Sequence, residues 1–436
     1  MELCKAYDLP VIGECGGMAL CATCQCYLES ETNLPEQSDD ELDMLDQAFY
    51  VDDYIFDLDV KNIFSKQWVF VGHVSRIPNY GDYFLFNIGK ESIIIIRDKE
   101  DSINAHYNVC RHRGSHICLE QEGNKKILTC PYHAWSYNLD GSIKSARMME
   151  KNFKKSEWSL HSCNLKIFEG LIFINLSKKP NDFDEFIAPT KKFIEFHGLA
   201  EAKIAHRELY PTNGNWKLTL DNFHECYHCQ PSHPEYCSVH DSEYIIAYGA
   251  GSNTGPNSEK FDRMLKDWNE KILKMGHITG EYIESEFNDY SRSAERTPLK
   301  EGKFTETKSG KPIAKLMGKF KEYDCGYTSV GTSPFNSLLM CNDFATLFTF
   351  IPVSTLHTQV ELMWLVHKDA EEGKDYNLEE MRWMWDKTTI ADKRIIENNQ
   401  KGVLSSKYAP GPLSQMEKGL EKFKSWYLKH LEKSLS

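Results

Sequence analysis

A chain of 436 residues has room for two or three domains, each with its own core. Its formal charge of −13 argues against nucleic acid as a partner, because a phosphate-binding surface needs clustered lysine and arginine. No apolar run approaches the roughly 18 residues of a membrane span, and "MELCKAYDLP" has neither the basic start nor the apolar centre of a signal peptide. The 14 cysteines therefore read as metal ligands and buried thiols, and the expectation is a cytoplasmic protein with no membrane partner.

In chain order, "ECGGMALCATCQC" places Cys15, Cys21 and Cys24 as C-x5-C-x2-C, a spacing that wraps three thiolates around an iron–sulfur cluster. The fourth ligand is missing: no cysteine lies between Cys26 and Cys110, and Cys26 follows Cys24 too closely to reach round. A second [2Fe–2S] centre at these thiols is therefore not expected. The acidic "EQSDDELDMLDQAF" predicts a short amphipathic helix with Leu42, Leu45 and Phe49 on one side. From about residue 66, "QWVFVGHV", "DYFLFNI", "SIIIIRD" and "KILTCPY" read as short strands parted by turns, and "EGLIFINL" as another near a domain boundary. Further on, "ATLFTFIPV" and "HTQVELMWLVHK" predict paired long strands, while "GSNTGPNSEK" and "RTPLKEGKFTETKSGKP" read as polar loops. "YNLEEMRWMWDKTTIADKRIIENNQKG" predicts a long helix, begun by an Asn377–Glu380 capping box and stopped at Gly402.

Two sets of residues carry chemistry. "CRHRGSHIC" and "CPYHAWSY" set Cys110, His112, Cys130 and His133 as C-x-H-x17-C-x2-H on two loops, with Gly114 and Pro131 for tight turns and Trp135 as a shield. One Cys and one His per loop suits a Rieske [2Fe–2S] centre, with thiolates on one iron and imidazoles on the other. A structural zinc site takes the same residue types, usually with both cysteines on one loop. "DNFHECYHCQPSHPEY" then sets Glu225, His228 and His233 as E-x2-H-x4-H, with Pro231 expected to end the local helix. Two imidazoles and a carboxylate with open positions form the usual site for non-haem Fe(II) that activates dioxygen. The long helix nominates the carboxylate: Met381, Trp385, Thr388, Asp392, Ile396 and Asn399 share one face, while Asp386 and Glu397 fall outside it.

Together these motifs, over roughly residues 50–436, resemble the Rieske non-haem iron oxygenases. The resemblance implies an α+β chain: an incomplete segment similar to an adrenodoxin-type ferredoxin at 1–50, a Rieske all-β domain at 51–168, and a helix-grip (START-like) catalytic domain with a long antiparallel sheet at 169–436. It implies a homotrimer in which Glu225 bridges electron transfer between subunits, with Asn222 beside the iron ligands. It also implies a separate NAD(P)H-dependent flavin and iron–sulfur reductase, since no glycine-rich nucleotide fingerprint is present.

"NFHECYHCQPSHPEYC", "KPIAKLMG" and "DKRIIENNQKGVLSSKYAPGPLS" are similar to the branch that acts on quaternary ammonium compounds. That likeness implies dioxygen-dependent N-demethylation, first of glycine betaine to dimethylglycine and formaldehyde, with stachydrine, carnitine or choline as alternatives. A quaternary nitrogen has no lone pair for ordinary amine oxidation, which suits attack on a methyl C–H bond. Aromatic faces would hold the ammonium by cation–π attraction, and Phe344, Phe348, Phe350, Trp364 and Trp385 are the candidates. The competing classes are an electron carrier with a structural second domain and a zinc-stabilised binding module; neither would hold mononuclear iron.

Overall fold

The computed structural model describes residues 44–98, 102–241, 258–283 and 291–432. Cys15, Cys21, Cys24 and Leu42 lie outside them. Of the amphipathic helix expected near residue 45, Gln47–Val51 (α1) is helical, and Leu45 and Phe49 are buried in the main core. Asp53–Asp59 (α2) follows, its first turn capped by the Asp52 carboxylate, which accepts from the main-chain N–H of Tyr54 and Ile55.

The strand-rich region contains Val69–His73 (β1), Asp82–Ile88 (β2), Glu91–Arg97 (β3), Ile103–Tyr107 (β4) and Glu122–Asn124 (β5). It continues through Leu128–Thr129 (β6), Ser136–Tyr137 (β7), Ile143–Ser145 (β8), Asn164–Phe168 (β9) and Leu171–Asn175 (β10). These form three antiparallel sheets, ordered β4-β3-β2-β5, β6-β7-β8 and β1-β10-β9. A boundary at 168 would part the β9–β10 hairpin, because both strands belong to the sheet that holds β1.

Phe183–His197 (α3) leads into a seven-stranded antiparallel sheet. Its strands are Ala202–Thr212 (β11), Glu281–Ile283 (β12), Ser293–Pro298 (β13), Gly326–Gly331 (β14), Asn336–Met340 (β15), Phe344–Ser354 (β16) and His357–His367 (β17), in the order β11-β17-β16-β15-β14-β13-β12. β16 and β17 pair along almost their whole lengths, with Phe348 opposite Leu362. Side chains alternate across a pleated strand, so the two faces feed different cores. Phe344, Phe348, Phe350, Leu362 and Trp364 pack toward Leu378–Val403 (α8); Ala345, Leu347, Met363 and Leu365 pack toward α3.

The short helices Trp216–Phe223 (α4), Cys229–Ser232 (α5) and Pro234–Val239 (α6), with Ser258–Lys274 (α7), lie between β11 and β12 in the chain, and Lys418–Glu432 (α9) ends the described fold. Asn377 caps α8 by accepting from the Glu380 N–H at 2.9 Å. Gly402 does not stop that helix. It runs to Val403, and Leu404 stays right-handed with its N–H on the Gln400 carbonyl.

Two buried polar joints tie the halves together. The Asp59 carboxylate accepts from Trp216 Nε1 at 2.9 Å, Lys217 Nζ at 2.5 Å and Tyr427 Oη at 2.8 Å, linking α2, α4 and α9. Burial pushes the Asp59 carboxyl up and the Lys217 ammonium down, while each one's charge opposes the other's shift. His73, on β1, donates through Nε2 to the Leu199 carbonyl at 2.9 Å. Its Nδ1 faces Ser75 Oγ at 2.9 Å, and that oxygen also accepts the Ile204 N–H from β11. Burial drives the His73 imidazole down to about 4, so it is neutral at pH 7.

Candidate metal centres and active-site cavity

The two Cys–His loops are built alike. In the first, the Cys110 N–H bonds the Ser115 carbonyl at 2.8 Å and the Gly114 N–H bonds the Cys110 carbonyl at 2.9 Å. In the second, Cys130 and Trp135 pair at 2.8 Å, and the Ala134 N–H bonds Cys130 at 3.1 Å. Each turn closes on a left-handed residue, Gly114 at φ +78° and Ala134 at φ +58°. This geometry buries Cys110 and Cys130 and leaves His112 and His133 exposed, their rings 4.6 Å apart. Trp135 lies beneath, stacked on His112 at 4.9 Å, and Tyr137 Oη sits 3.3 Å from Cys110 Sγ. Burial pushes the Cys110 thiol up, and the neighbouring Cys130 thiol adds to the shift. Two buried thiols beside two outward imidazoles, with a hydroxyl near one sulfur, fit the mixed ligation of a Rieske cluster.

The second centre begins where α4 stops at Phe223. The Glu225 carboxylate caps the following turn through the main-chain N–H of Tyr227 and His228 and also receives His228 Nδ1. Pro231 does not end the helix here. It lies inside α5, and the break comes at His233 (φ −126°, ψ 71°), because Pro234 disfavours helical geometry in the residue before it. That break carries His233 across to His228, with ring centroids 5.0 Å apart.

Asp392 arrives from α8, its Oδ1 2.9 Å from His233 Nε2 and 3.2 Å from His228 Nε2. The three ligand atoms lie within 4.8 Å of one another. Burial works against the Asp392 charge, but the two imidazoles outweigh it and hold the carboxyl below its usual range. Burial likewise opposes a charge on His228, and Asp392 with Glu225 overrides it, lifting that imidazole to about 10. A bound cation would displace this proton. Asn222 Nδ2 stands 3.3 Å from His228 Nε2. On the Asp392 face, Met381, Trp385, Thr388 and Ile396 are buried as expected, whereas Asn399 is exposed and Gln400 takes the buried place.

A cavity of about 400 Å³ opens on His228, His233 and Asp392. Trp385 lines it; Phe344, Phe348, Phe350 and Trp364 do not. Strand alternation turns those four into the core under α8, where Phe348 meets the Trp385 ring at 5.3 Å and Trp364 faces His206 at 5.6 Å. With Phe223 and Phe423, the other aromatic side chains that line the cavity include Tyr236 and Tyr327. The sequence reading passed over both, although Tyr236 stands three residues after His233, close to one turn along the chain.

Residues 67–168 match the Rieske [2Fe–2S] domain family, and residues 199–433, more than half of the chain, match the catalytic domain of ring-hydroxylating alpha subunits. The chain is 34% identical to the glycine betaine monooxygenase oxygenase subunit of Pseudomonas aeruginosa over 397 residues, 90% of each protein. The chain belongs to the Rieske ring-hydroxylating oxygenases. It is also 37% identical to the carnitine monooxygenase oxygenase subunit of Escherichia coli over 196 residues, covering 43% of this chain and 51% of that protein. A solved quaternary ammonium Rieske monooxygenase shares the fold, with a TM-score of 0.67 at 20% identity over 91% of this chain and all of the other.

As a Rieske-type non-haem iron monooxygenase it uses a Rieske [2Fe–2S] cluster and a mononuclear iron at a His/His/Asp triad. Among the described residues, His228, His233 and Asp392 are the one such group drawn together for a single ion. No helix of the described chain is long and apolar enough to cross a membrane.

Proposed function

We propose that this chain is the oxygenase component of a multicomponent monooxygenase that N-demethylates a quaternary ammonium compound, with glycine betaine as substrate. The observation that carries the reading is the cavity at the iron triad, walled by Trp385, Tyr236 and Tyr327. Facing aromatic rings hold a trimethylammonium group well, by roughly 2 kcal/mol or more once it is desolvated. The likeness to a glycine betaine monooxygenase over 90% of both chains supports the same substrate, and carnitine is the second candidate because a carnitine-acting relative matches part of the chain.

In this reading Cys110, His112, Cys130 and His133 would hold the cluster, and His228, His233 and Asp392 the iron. When bound, the cluster supplies electrons one at a time and the iron supplies dioxygen activation. The chain's own residues do the rest. The Glu225 carboxylate on Nδ1 keeps the His228 ring turned with Nε2 toward Asp392. Trp385 and the two tyrosines seat the ammonium so that one methyl group faces the triad. Overall, one oxygen atom of dioxygen leaves in formaldehyde and the other in water, with two electrons and two protons supplied from outside. Those electrons require a separate NAD(P)H-dependent flavin and iron–sulfur reductase.

The exposure of His112 and His133 suits electron exit into a neighbouring subunit of a homotrimer, with Glu225 as the bridge on the receiving side. The seven-stranded sheet closed over by α8 supports a helix-grip description of the catalytic half, and the β9–β10 hairpin supports a Rieske unit that extends to Asn175.

Holoenzyme supplied with a surrogate reductase is assayed for dioxygen uptake and formaldehyde with glycine betaine, carnitine, stachydrine and choline. Equimolar formaldehyde with glycine betaine supports the proposal, and formaldehyde from none of the four defeats it.

A further inference from the structure

The connection from Leu299 to Cys325 joins β13 to β14 and reads as a polar loop, yet Thr305, Glu306 and Thr307 within it are fully buried. A carboxylate is costly in that setting unless it is hydrogen-bonded. Glu306 Oε1 accepts from His240 Nε2 at 3.0 Å, and Oε2 accepts from Trp385 Nε1 at 3.0 Å. His240 stacks on Tyr236, with centroids 4.1 Å apart and planes at 20°, and meets Tyr327 edge-on at 4.6 Å. Tyr236 and Trp385 approach each other at 5.8 Å. Three of the rings that line the cavity, Trp385, Tyr236 and Tyr327, thus converge on one carboxylate behind them, outside the cavity wall.

We infer that Glu306 is a positioning residue for cation recognition: it fixes the Trp385 face directly and the Tyr236 and Tyr327 faces through His240, and sets a negative charge behind all three. The inference rests on the quaternary ammonium reading above and deepens it. An indole that donates to a buried carboxylate cannot turn without breaking the bond. The donated hydrogen bond also shifts electron density into the ring, which strengthens the negative face that an ammonium meets. A charge in the interior is screened far less than one at the surface, so its field reaches the ligand. A role confined to holding the fold would be indifferent to ligand charge. This role is not.

Glycine betaine and its carbon isostere 3,3-dimethylbutanoate have nearly the same shape and carboxylate and differ in the charged nitrogen. Binding of each is measured by anaerobic calorimetry on holoenzyme whose iron content has been checked. Wild-type protein is expected to prefer glycine betaine. Glu306→Gln is expected to weaken glycine betaine binding by about tenfold and to change the isostere by less than about twofold. His240→Gln, which breaks the link from Glu306 to the tyrosine faces and lies outside the cavity wall, is expected to shift the same preference in the same direction, and it carries the test if Glu306→Gln does not fold. Equal weakening of both ligands, or no change in either, overturns the inference. Wild-type protein that binds the two ligands equally overturns the ammonium reading itself, a result distinct from a wild-type preference that Glu306→Gln leaves intact.

Discussion

The two centres are built in opposite ways. The Cys–His centre is local and superficial: four residues within 24 positions, on two matching turns, with both imidazoles exposed. The triad is assembled from afar, with Asp392 joining His233, 159 positions earlier in the chain, and His228 before it, and His233 is 1% exposed. An electron-transfer site needs a route to the surface, whereas dioxygen chemistry needs exclusion of water. The difference therefore predicts which changes each centre will tolerate.

The sharpest break is to remove one centre and look for the other. Asp392→Ala should abolish turnover and lower iron from three to two per chain, with the reduced Rieske paramagnetic signal retained. Cys130→Ala should do the reverse, losing the cluster and keeping one iron. Loss of both centres in either variant would show that they are coupled through folding.

The next largest effect concerns the scaffold of the distant centre. Lys217→Ala leaves the buried Asp59 carboxylate without its cation and should cost about 3–5 kcal/mol in denaturant unfolding, where loss of one partner of a surface pair such as Lys90–Asp57 costs about 1 kcal/mol or less. A third test uses acid. His73 is held at about 4 in the folded chain against an ordinary value of 6.5, so below pH 6.5 the unfolded chain takes up a proton that the native one refuses. Its contribution is present in full above 6.5 and is lost as pH falls toward 4. Between pH 7 and pH 4.5 the wild type should lose about 2–3 kcal/mol relative to His73→Gln, read from paired melting curves. The smallest expected change is Glu225→Gln, which weakens the grip on His228 Nδ1 and should cut iron affinity by about 10–100-fold, measured by chelator competition, with the cluster unaffected.

The same contrast governs what could be read from sequence. The two iron histidines were legible because a short spacing reports a local turn, and Asp392 because helical periodicity reports a face; the same kind of spacing nominates Cys110, His112, Cys130 and His133 for the cluster. Phe344, Phe348 and Phe350 misled as cage residues, since aromatic strand content does not tell which face of a sheet a cavity will occupy. Glu306 was invisible for the opposite reason. A glutamate among lysines and threonines reads as solvated, and only the long-range partners His240 and Trp385 make it a core residue.

The His73 joint makes the seam between the β-rich region and the catalytic sheet a weld: one neutral imidazole stitches β1 to Leu199, and Ser75 extends the stitch to β11. In kinematic terms the molecule carries no swinging arm at that seam. Any relative movement of the two regions there must first break these bonds, so the spacing between the Cys–His loops and the triad within one chain is held as firmly as the joint itself.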